Sequence, residues 1–80
     1  MNIKELKKKL AQDYTVVTKT KWNKDVEFVL LSKITEKYIG SFSISESDKT
    51  IYNTNFKDFS IYNLIDLLDI LKRFKENEKL

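Results

Sequence analysis

Apolar residues recur every three or four positions through the last third of the chain. Counted from Ile61, offsets of 0, 3, 4, 7 and 10 follow one helical face. The residues at these offsets are Ile61, Leu64, Ile65, Leu68 and Leu71. Leu67, Ile70 and Phe74 widen this stripe. Ser60 or Asp58 can cap the start of the helix. A helix this apolar has to cover another layer, so the pattern predicts a C-terminal helix packed on one face of a sheet.

A shorter helical pattern opens the chain. Ile3, Leu6 and Leu10 share one helical face, which predicts a helix from about residue 3 to residue 12. Asn2 precedes it and is a good N-cap, because its side-chain oxygen can accept a backbone N–H from the first turn. We expect this helix at the edge of the sheet or beside the C-terminal helix.

Between the two helices the apolar residues alternate with others, as they do in β-strands. The expected strands cover residues 14–21, 26–31 and 38–45, and residues 50–53 are an optional short fourth strand. The third strand alternates most regularly and places on its inner face Tyr38, Gly40, Phe42 and Ile44. We expect a two-residue turn, Asn23-Lys24, between the first two strands.

These elements predict an α+β fold: a helix, an antiparallel meander of three or four strands, and a C-terminal helix on one sheet face. The 80 residues contain no linker and no repeat, so we expect a single domain covering residues 1–80. So short a chain builds only a thin core, and without cysteine it has no disulfide to reinforce that core. Its stability must therefore come from the apolar residues that the helices and the sheet bury.

The chain lacks the residue types on which most small catalytic and metal sites depend. It contains no histidine and no cysteine, the usual zinc ligands and the commonest groups for proton exchange or nucleophilic attack near pH 7. Its single glycine rules out a glycine-rich phosphate loop. Asp66 and Asp69 lie one helical turn apart, but we expect Lys72 and Arg73 to neutralise them, with Asp69 and Arg73 as an i,i+4 pair. We predict no enzymatic activity, no cofactor and no metal.

Charge is unevenly distributed along the chain, whose net charge is +3. Residues 1–24 hold seven lysines against two acidic residues (+5), and residues 25–80 hold eight basic against ten acidic residues (−2). The N-terminal residues do not form the apolar region of a signal peptide, and no apolar run approaches the roughly 18 residues of a membrane span. We therefore expect a cytoplasmic protein with no membrane partner.

Besides binding to another protein, two functions are open from the residues alone. The first hairpin combines an aromatic side chain with positively charged side chains: Lys19, Lys21, Trp22 and Lys24. Trp22 could stack on a nucleobase while the lysines neutralise phosphates, as in a small nucleic-acid-binding regulator. The purely structural alternative is that Trp22 covers one end of the core as a hydrophobic lid. Edge strands or a helical face could instead mediate self-association, and the sequence leaves the oligomeric state open.

Short stretches in the first part of the chain resemble a known family of phage proteins. They are Met1-Asn2-Ile3, Leu6, Asp13-Tyr14-Thr15-Val16 and Ile44-Ser45-Glu46-Ser47, in nearly collinear order. These stretches resemble a type II-A anti-CRISPR protein over roughly residues 1–48. The chain, rich in lysine, asparagine and isoleucine, is also similar to small phage and prophage proteins of low-GC Gram-positive bacteria.

The resemblance implies a protein that inhibits an RNA-guided nuclease by occupying the site that reads the short DNA motif beside the target. In that family, acidic side chains stand in for DNA phosphates. We therefore expect a non-catalytic phage or mobile-element protein that binds and inhibits a host protein in the host cytoplasm. Asp13 matches an acidic contact position, and Glu36 and Tyr38 lie in the corresponding turn region. The expected partner-binding residues are Asp13, Glu36, Tyr38, Glu46 and Asp48.

Overall fold

The chain folds into one antiparallel sheet and two helices; the computed structural model describes residues 2–57 and 59–78, with the backbone alone at 76–78. The helices are α1 (Ile3–Leu10) and α2 (Ile61–Glu78). The strands are β1 (Tyr14–Thr20), β2 (Val26–Ser32), β3 (Tyr38–Ile44) and β4 (Ile51–Phe56). They lie in the order β1-β2-β3-β4, each antiparallel to the next. The predicted α+β meander is confirmed, and the optional fourth strand is present.

One face of the sheet carries the core. Phe28 of β2 and Phe42 of β3 lie opposite each other, with ring centroids 5.0 Å apart and ring planes at 11°. The buried core draws on β2, β3 and both helices and comprises Leu6, Leu10, Phe28, Leu30, Phe42, Ile44, Leu67, Leu71 and Phe74. Alternate residues of β2 and β3 supply it, as the period of two predicts. On the opposite face, Val17 of β1 is 49% exposed.

Helix α1 lies against the edge strand β1. Of the two expected positions, at the edge of the sheet or beside the C-terminal helix, the structure shows the first. The side-chain oxygen of Asn2 accepts the backbone N–H of Glu5 at 2.8 Å, so the predicted N-cap is confirmed. Leu6 and Leu10 are fully buried, and the helix ends at Leu10, two residues before the expected boundary. Its apolar face thus extends the core past the edge of the sheet.

Helix α2 starts as predicted but presents a different side to the sheet. The hydroxyl of Ser60 accepts the backbone N–H of Asn63 at 3.1 Å, which confirms this cap; Asp58, the alternative, lies outside the described residues. The predicted stripe ran along Ile61, Leu64, Ile65, Leu68 and Leu71, and Leu67 and Phe74 only widened it. The buried residues are Leu67, Leu71 and Phe74, and their centre lies roughly a quarter of a turn from the centre of that stripe. Because α2 is apolar over so much of its circumference, spacing alone could not say which part meets the core.

A bulge in β3 corrects the predicted position of Tyr38. Leu30 pairs with Gly40 and Leu31 pairs with Tyr38, so Ile39 has no partner of its own on β2. The extra residue moves Tyr38 to the outer face of the sheet, where its hydroxyl lies 2.9 Å from the hydroxyl of Ser41. Ile39 packs against the core instead. The regular alternation of the sequence gave no warning of this irregularity.

The first hairpin has a three-residue turn, Trp22–Lys24, and the prediction of a two-residue turn is wrong. The backbone N–H of Lys21 donates to the carbonyl of Asp25 at 2.8 Å, so the hairpin closes one residue earlier on the β1 side than a two-residue turn would. Lys24 completes the turn with a φ of 71°. Trp22 is 96% exposed, so it does not form a lid on the core.

The outer edge strand β4 is irregular. Its pairing with β3 shifts between Ser41 and Ser43, so that Phe42 lies opposite two residues, Asn53 and Thr54. Asn53 has a φ of 54°, in the left-handed region that asparagine tolerates better than most residues. The strand therefore bends in the middle of an otherwise free edge.

Candidate protein-binding groove

A groove runs across the end of the sheet where β1 begins and β2 ends. It consists of two adjoining cavities with volumes of about 260 Å³ and 450 Å³. The larger extends past Lys33 and Ile34 in the turn between β2 and β3. The smaller extends along α2 and is lined by Asp13, Tyr14, Asn63, Asp66, Leu67 and Ile70. We call the smaller cavity the acidic groove, because two of its six residues are carboxylates and none is basic.

Backbone hydrogen bonds fix the position of Asp13 at the groove. Its N–H donates to the carbonyl of Leu10 at 3.1 Å, and the N–H of Gln12 donates to the carbonyl of Lys9 at 3.3 Å. These bonds tighten the connection between α1 and β1. The ammonium group of Lys33 donates to the carbonyl of Gln12 at 2.9 Å and ties this connection to the turn between β2 and β3. Backbone hydrogen bonds of the connection therefore fix the position of Asp13.

Tyr14 lies at the centre of the acidic groove. Its ring packs against that of Phe59 at 5.8 Å between centroids. Burial raises the pKa of the Tyr14 phenol above its ordinary value of 10.0, and the negative charges of Asp13 and Asp66 raise it further. All three effects favour the neutral hydroxyl, so at neutral pH the groove presents a hydroxyl group together with two carboxylates.

Within the described part of the chain, the two carboxylates of the groove have no cationic partner. The ion pair found there joins Asp69 to Arg73 at 2.9 Å, on an exposed side of α2, and it confirms the expected i,i+4 pair. Asp13 and Asp66 take no part in it. Carboxylates without a cationic partner around one cavity attract a cation, and the apolar Ile70 suits the aliphatic stem of an arginine or lysine. The arrangement is chemically suited to a basic side chain.

The five predicted partner-binding residues do not form one surface. Asp13 lines the groove, and Glu36 lies in the neighbouring turn between β2 and β3, where its φ is 59°. Tyr38 is on the outer face of the sheet. Glu46 and Asp48 lie in the turn between β3 and β4, at the other end of the seven-residue strand β3. That end is about 20 Å away, so a single small partner surface cannot contact all five at once.

Sequence reasoning missed Asn63 and Asp66 as members of the groove. Asp66 was expected to be a solvent-facing charge neutralised by Lys72 and Arg73. It is exposed as expected, but Arg73 pairs with Asp69 instead. The spacing of Asn63, Asp66 and Ile70 places them along one side of α2, which was the available signal. It could be used only once the side of α2 that faces β1 was known.

A polar network occupies the opposite end of the sheet and holds the two hairpin turns together. The hydroxyl of Tyr52 donates to the carboxylate of Asp25, which also accepts the backbone N–H of Glu46 at 2.9 Å. Lys21 donates to the hydroxyl of Ser43 at 3.0 Å, and its ammonium nitrogen lies 5.1 Å from the centre of the Tyr52 ring. Ser43 is only 1% exposed. The network therefore fixes the base of the first hairpin.

This network makes the folding stability sensitive to acid. Donation from Tyr52 is the main cause that lowers the pKa of Asp25 below 3.8, and donation from the Thr50 hydroxyl does the same for Asp48. A carboxyl group whose pKa is lowered by folding adds stability above its unfolded pKa and loses it as the pH falls through the folded value. Denaturant midpoints should therefore fall below about pH 4. Tyr52→Phe should flatten this fall; an unchanged profile would contradict the assignment.

The hairpin residues predicted for nucleic-acid binding are only partly free. Trp22, Lys19 and Lys24 are exposed, but the side chain of Lys21 is engaged with Ser43 and Tyr52. Acidic residues share this end of the sheet with the lysines: Asp25, Glu27, Glu46 and Asp48. They balance Lys19, Lys21, Lys24 and Lys49, so the tip carries no excess of positive charge. Such a balance does not favour a phosphate backbone.

Comparison with protein-family models, curated proteins and solved structures found no match for this chain. Neither of the described helices is long and apolar enough to cross a membrane. Among the side chains of residues 2–57 and 59–75, no group of three or more acidic residues comes together in a way that could hold a metal ion.

Proposed function

We propose that the protein is a non-catalytic inhibitor that binds a host protein through the acidic groove. An arginine or lysine of the partner enters between Asp13 and Asp66, and its stem packs against Ile70. One observation carries the proposal: two carboxylates, unpaired among the described residues, line one cavity of about 260 Å³.

The resemblance to the anti-CRISPR family indicates the kind of partner. An RNA-guided nuclease reads its short DNA motif with arginine side chains, and carboxylates offer such side chains the same charge as DNA phosphates. Asp13, the acidic position that the resemblance carries over, is a member of the groove. Because the whole chain has a charge of +3, its attraction for a basic surface has to be local. We therefore propose a protein of phage or mobile-element origin, with an RNA-guided nuclease as the first partner to test.

The direct test is calorimetric titration of the protein into a purified type II-A nuclease loaded with guide RNA, together with a DNA-cleavage assay. We expect stoichiometric binding and a matching loss of cleavage. Asp13→Asn and Asp66→Asn should each weaken binding by about 30-fold or more. The partner would cover these exposed carboxylates, and loss of one member of a charge pair buried in this way costs about 2 kcal/mol or more.

Asp69→Asn is the matched control, since it makes the same charge change on the same helix but outside the groove. It should leave the affinity within about twofold, as expected for a rim charge. Equal losses for Asp66→Asn and Asp69→Asn would show that the groove is not the contact. The inhibitor proposal fails if the wild-type protein binds no nuclease and captures no defence factor from a low-GC Gram-positive lysate. Binding of single-stranded DNA that is lost in Trp22→Ala would favour the nucleic-acid alternative.

A further inference from the structure

Helix α2 carries a second apolar surface that the core does not use. Ile61, Ile65 and Leu68 follow one another at intervals of four and three residues and are 68%, 57% and 48% exposed. Tyr62 lies beside them and is 77% exposed. These four residues, which we call the α2 flank, form a continuous stripe because residues three and four apart are neighbours on a helix surface. The stripe is separate from the side that buries Leu67, Leu71 and Phe74.

The area of the α2 flank fits a weak homodimer. With side chains of this size exposed by half to three quarters, each copy offers about 500 Å² of largely apolar surface, at the upper end of what a monomer normally leaves uncovered. Two such flanks in contact would remove about 1,000 Å² from water, which is the lower limit for a specific interface. A second copy of the chain therefore supplies an occupant of the right size and chemistry.

The sequence of the flank is also self-complementary. When two copies of α2 pack antiparallel about a two-fold axis near Ile65, that residue meets its own counterpart and Ile61 meets Leu68 of the other copy. The neighbouring Asp69 is already neutralised by Arg73 at 2.9 Å, so it adds little repulsion between the copies. Lys72 lies one turn beyond Leu68, at the rim, where its long side chain can reach water.

We propose that the protein forms a two-fold symmetric dimer through the α2 flank. Asn63, Asp66 and Ile70, which line the acidic groove, lie on another side of the same helix. The dimer therefore leaves both grooves open, and this inference does not depend on what the groove binds. One dimer would present two copies of the groove to its surroundings.

Sedimentation velocity over a concentration series tests the proposal. The wild-type mass should rise from the 9.5 kDa of one chain to twice that value, with a dissociation constant of about micromolar order, as expected for so small an interface. Ile65→Glu places two like charges at the axis and should raise the dissociation constant about 100-fold or more. Val17→Glu changes a similarly exposed apolar residue on the sheet and should leave dimerisation unchanged.

Cross-linking tests the geometry of the dimer. The chain contains no cysteine, so Ile65→Cys introduces a single thiol that meets its counterpart at the axis. Mild oxidation should convert most of this variant to a disulfide-linked dimer, whereas Val17→Cys should remain monomeric on a denaturing gel. A wild-type protein that stays monomeric up to about millimolar concentration overturns the proposal. So does equal dimerisation of Ile65→Glu and the wild type, or equal cross-linking of the two cysteine variants.

Discussion

Phe42→Ala should leave the protein largely unfolded at room temperature. Phe42 is fully buried, and its ring stacks on that of Phe28 at 5.0 Å in the middle of the core. Truncation of a buried phenylalanine costs about 3–5 kcal/mol through lost burial and the cavity left behind. A chain of this length without a disulfide has roughly 3–5 kcal/mol in total. Circular dichroism and urea titration would show loss of the cooperative transition.

Val17→Ala is the control for this substitution. Val17 also lies on a strand and is apolar, but it is 49% exposed on the opposite face of the sheet. Its truncation should cost less than about 1 kcal/mol, as is usual for surface substitutions. If Phe42→Ala keeps a cooperative transition near that of the wild type, the stability of the fold does not depend on this pair of rings.

Gly40→Ala should be the next most damaging substitution, by about 1–3 kcal/mol, although it adds a single methyl group. A Cβ atom at this position would lie 2.8 Å from the ring of Phe56 and 3.0 Å from the ring of Phe59. It would also lie 3.3 Å from the backbone carbonyl of Asn55 on the paired strand, which cannot move freely. Denaturant titration measures the loss.

A double-mutant cycle identifies the cause of that loss. Phe56→Ala removes the ring that the new methyl group meets first. Combined with Gly40→Ala, it should cost less than the sum of the two single changes by about 1 kcal/mol, because the collision is relieved. Strict additivity of the two costs would mean that the collision with Phe56 is not what destabilises Gly40→Ala.

The sequence predicted those parts of the fold that depend on local periodicity. The alternation in β2 and β3 put Phe28, Phe42 and Ile44 on the core face, and Asn2 and Ser60 cap the helices as their side chains predict. Each of these features depends on neighbours within a few residues. Such signals are present in the sequence itself and survive in the folded chain.

The errors came from features that are set by contacts between distant segments. The buried side of α2 includes Leu67 and Phe74 and leaves Ile65 exposed, and it is chosen by the shape of the sheet face. The bulge at Ile39, which moved Tyr38 outward, depends on how β2 and β3 are joined. Apolar spacing is compatible with either outcome, so no local pattern could decide these cases.

The candidate site also combines residues that the sequence identified with residues that only the folded topology reveals. Asp13 was identified from a resemblance over the first part of the chain, but its partner Asp66 lies 53 positions later on a helix whose orientation was not known. Glu46 and Asp48 were grouped with Asp13 as acidic residues within the stretch covered by the resemblance, while the length of β3 separates them. A binding site assembled from three segments requires the topology before its members can be recognised.

The bend in β4 at Asn53 has a consequence for how the protein behaves at high concentration. A straight, free edge strand offers an unbroken row of N–H and C=O groups on which another molecule can build a growing β-aggregate. The left-handed residue in the middle of β4 interrupts that row. The opposite edge of the sheet, strand β1, is shielded in part by α1, which lies against it. Copies of the chain are thus discouraged from adding to one another strand by strand.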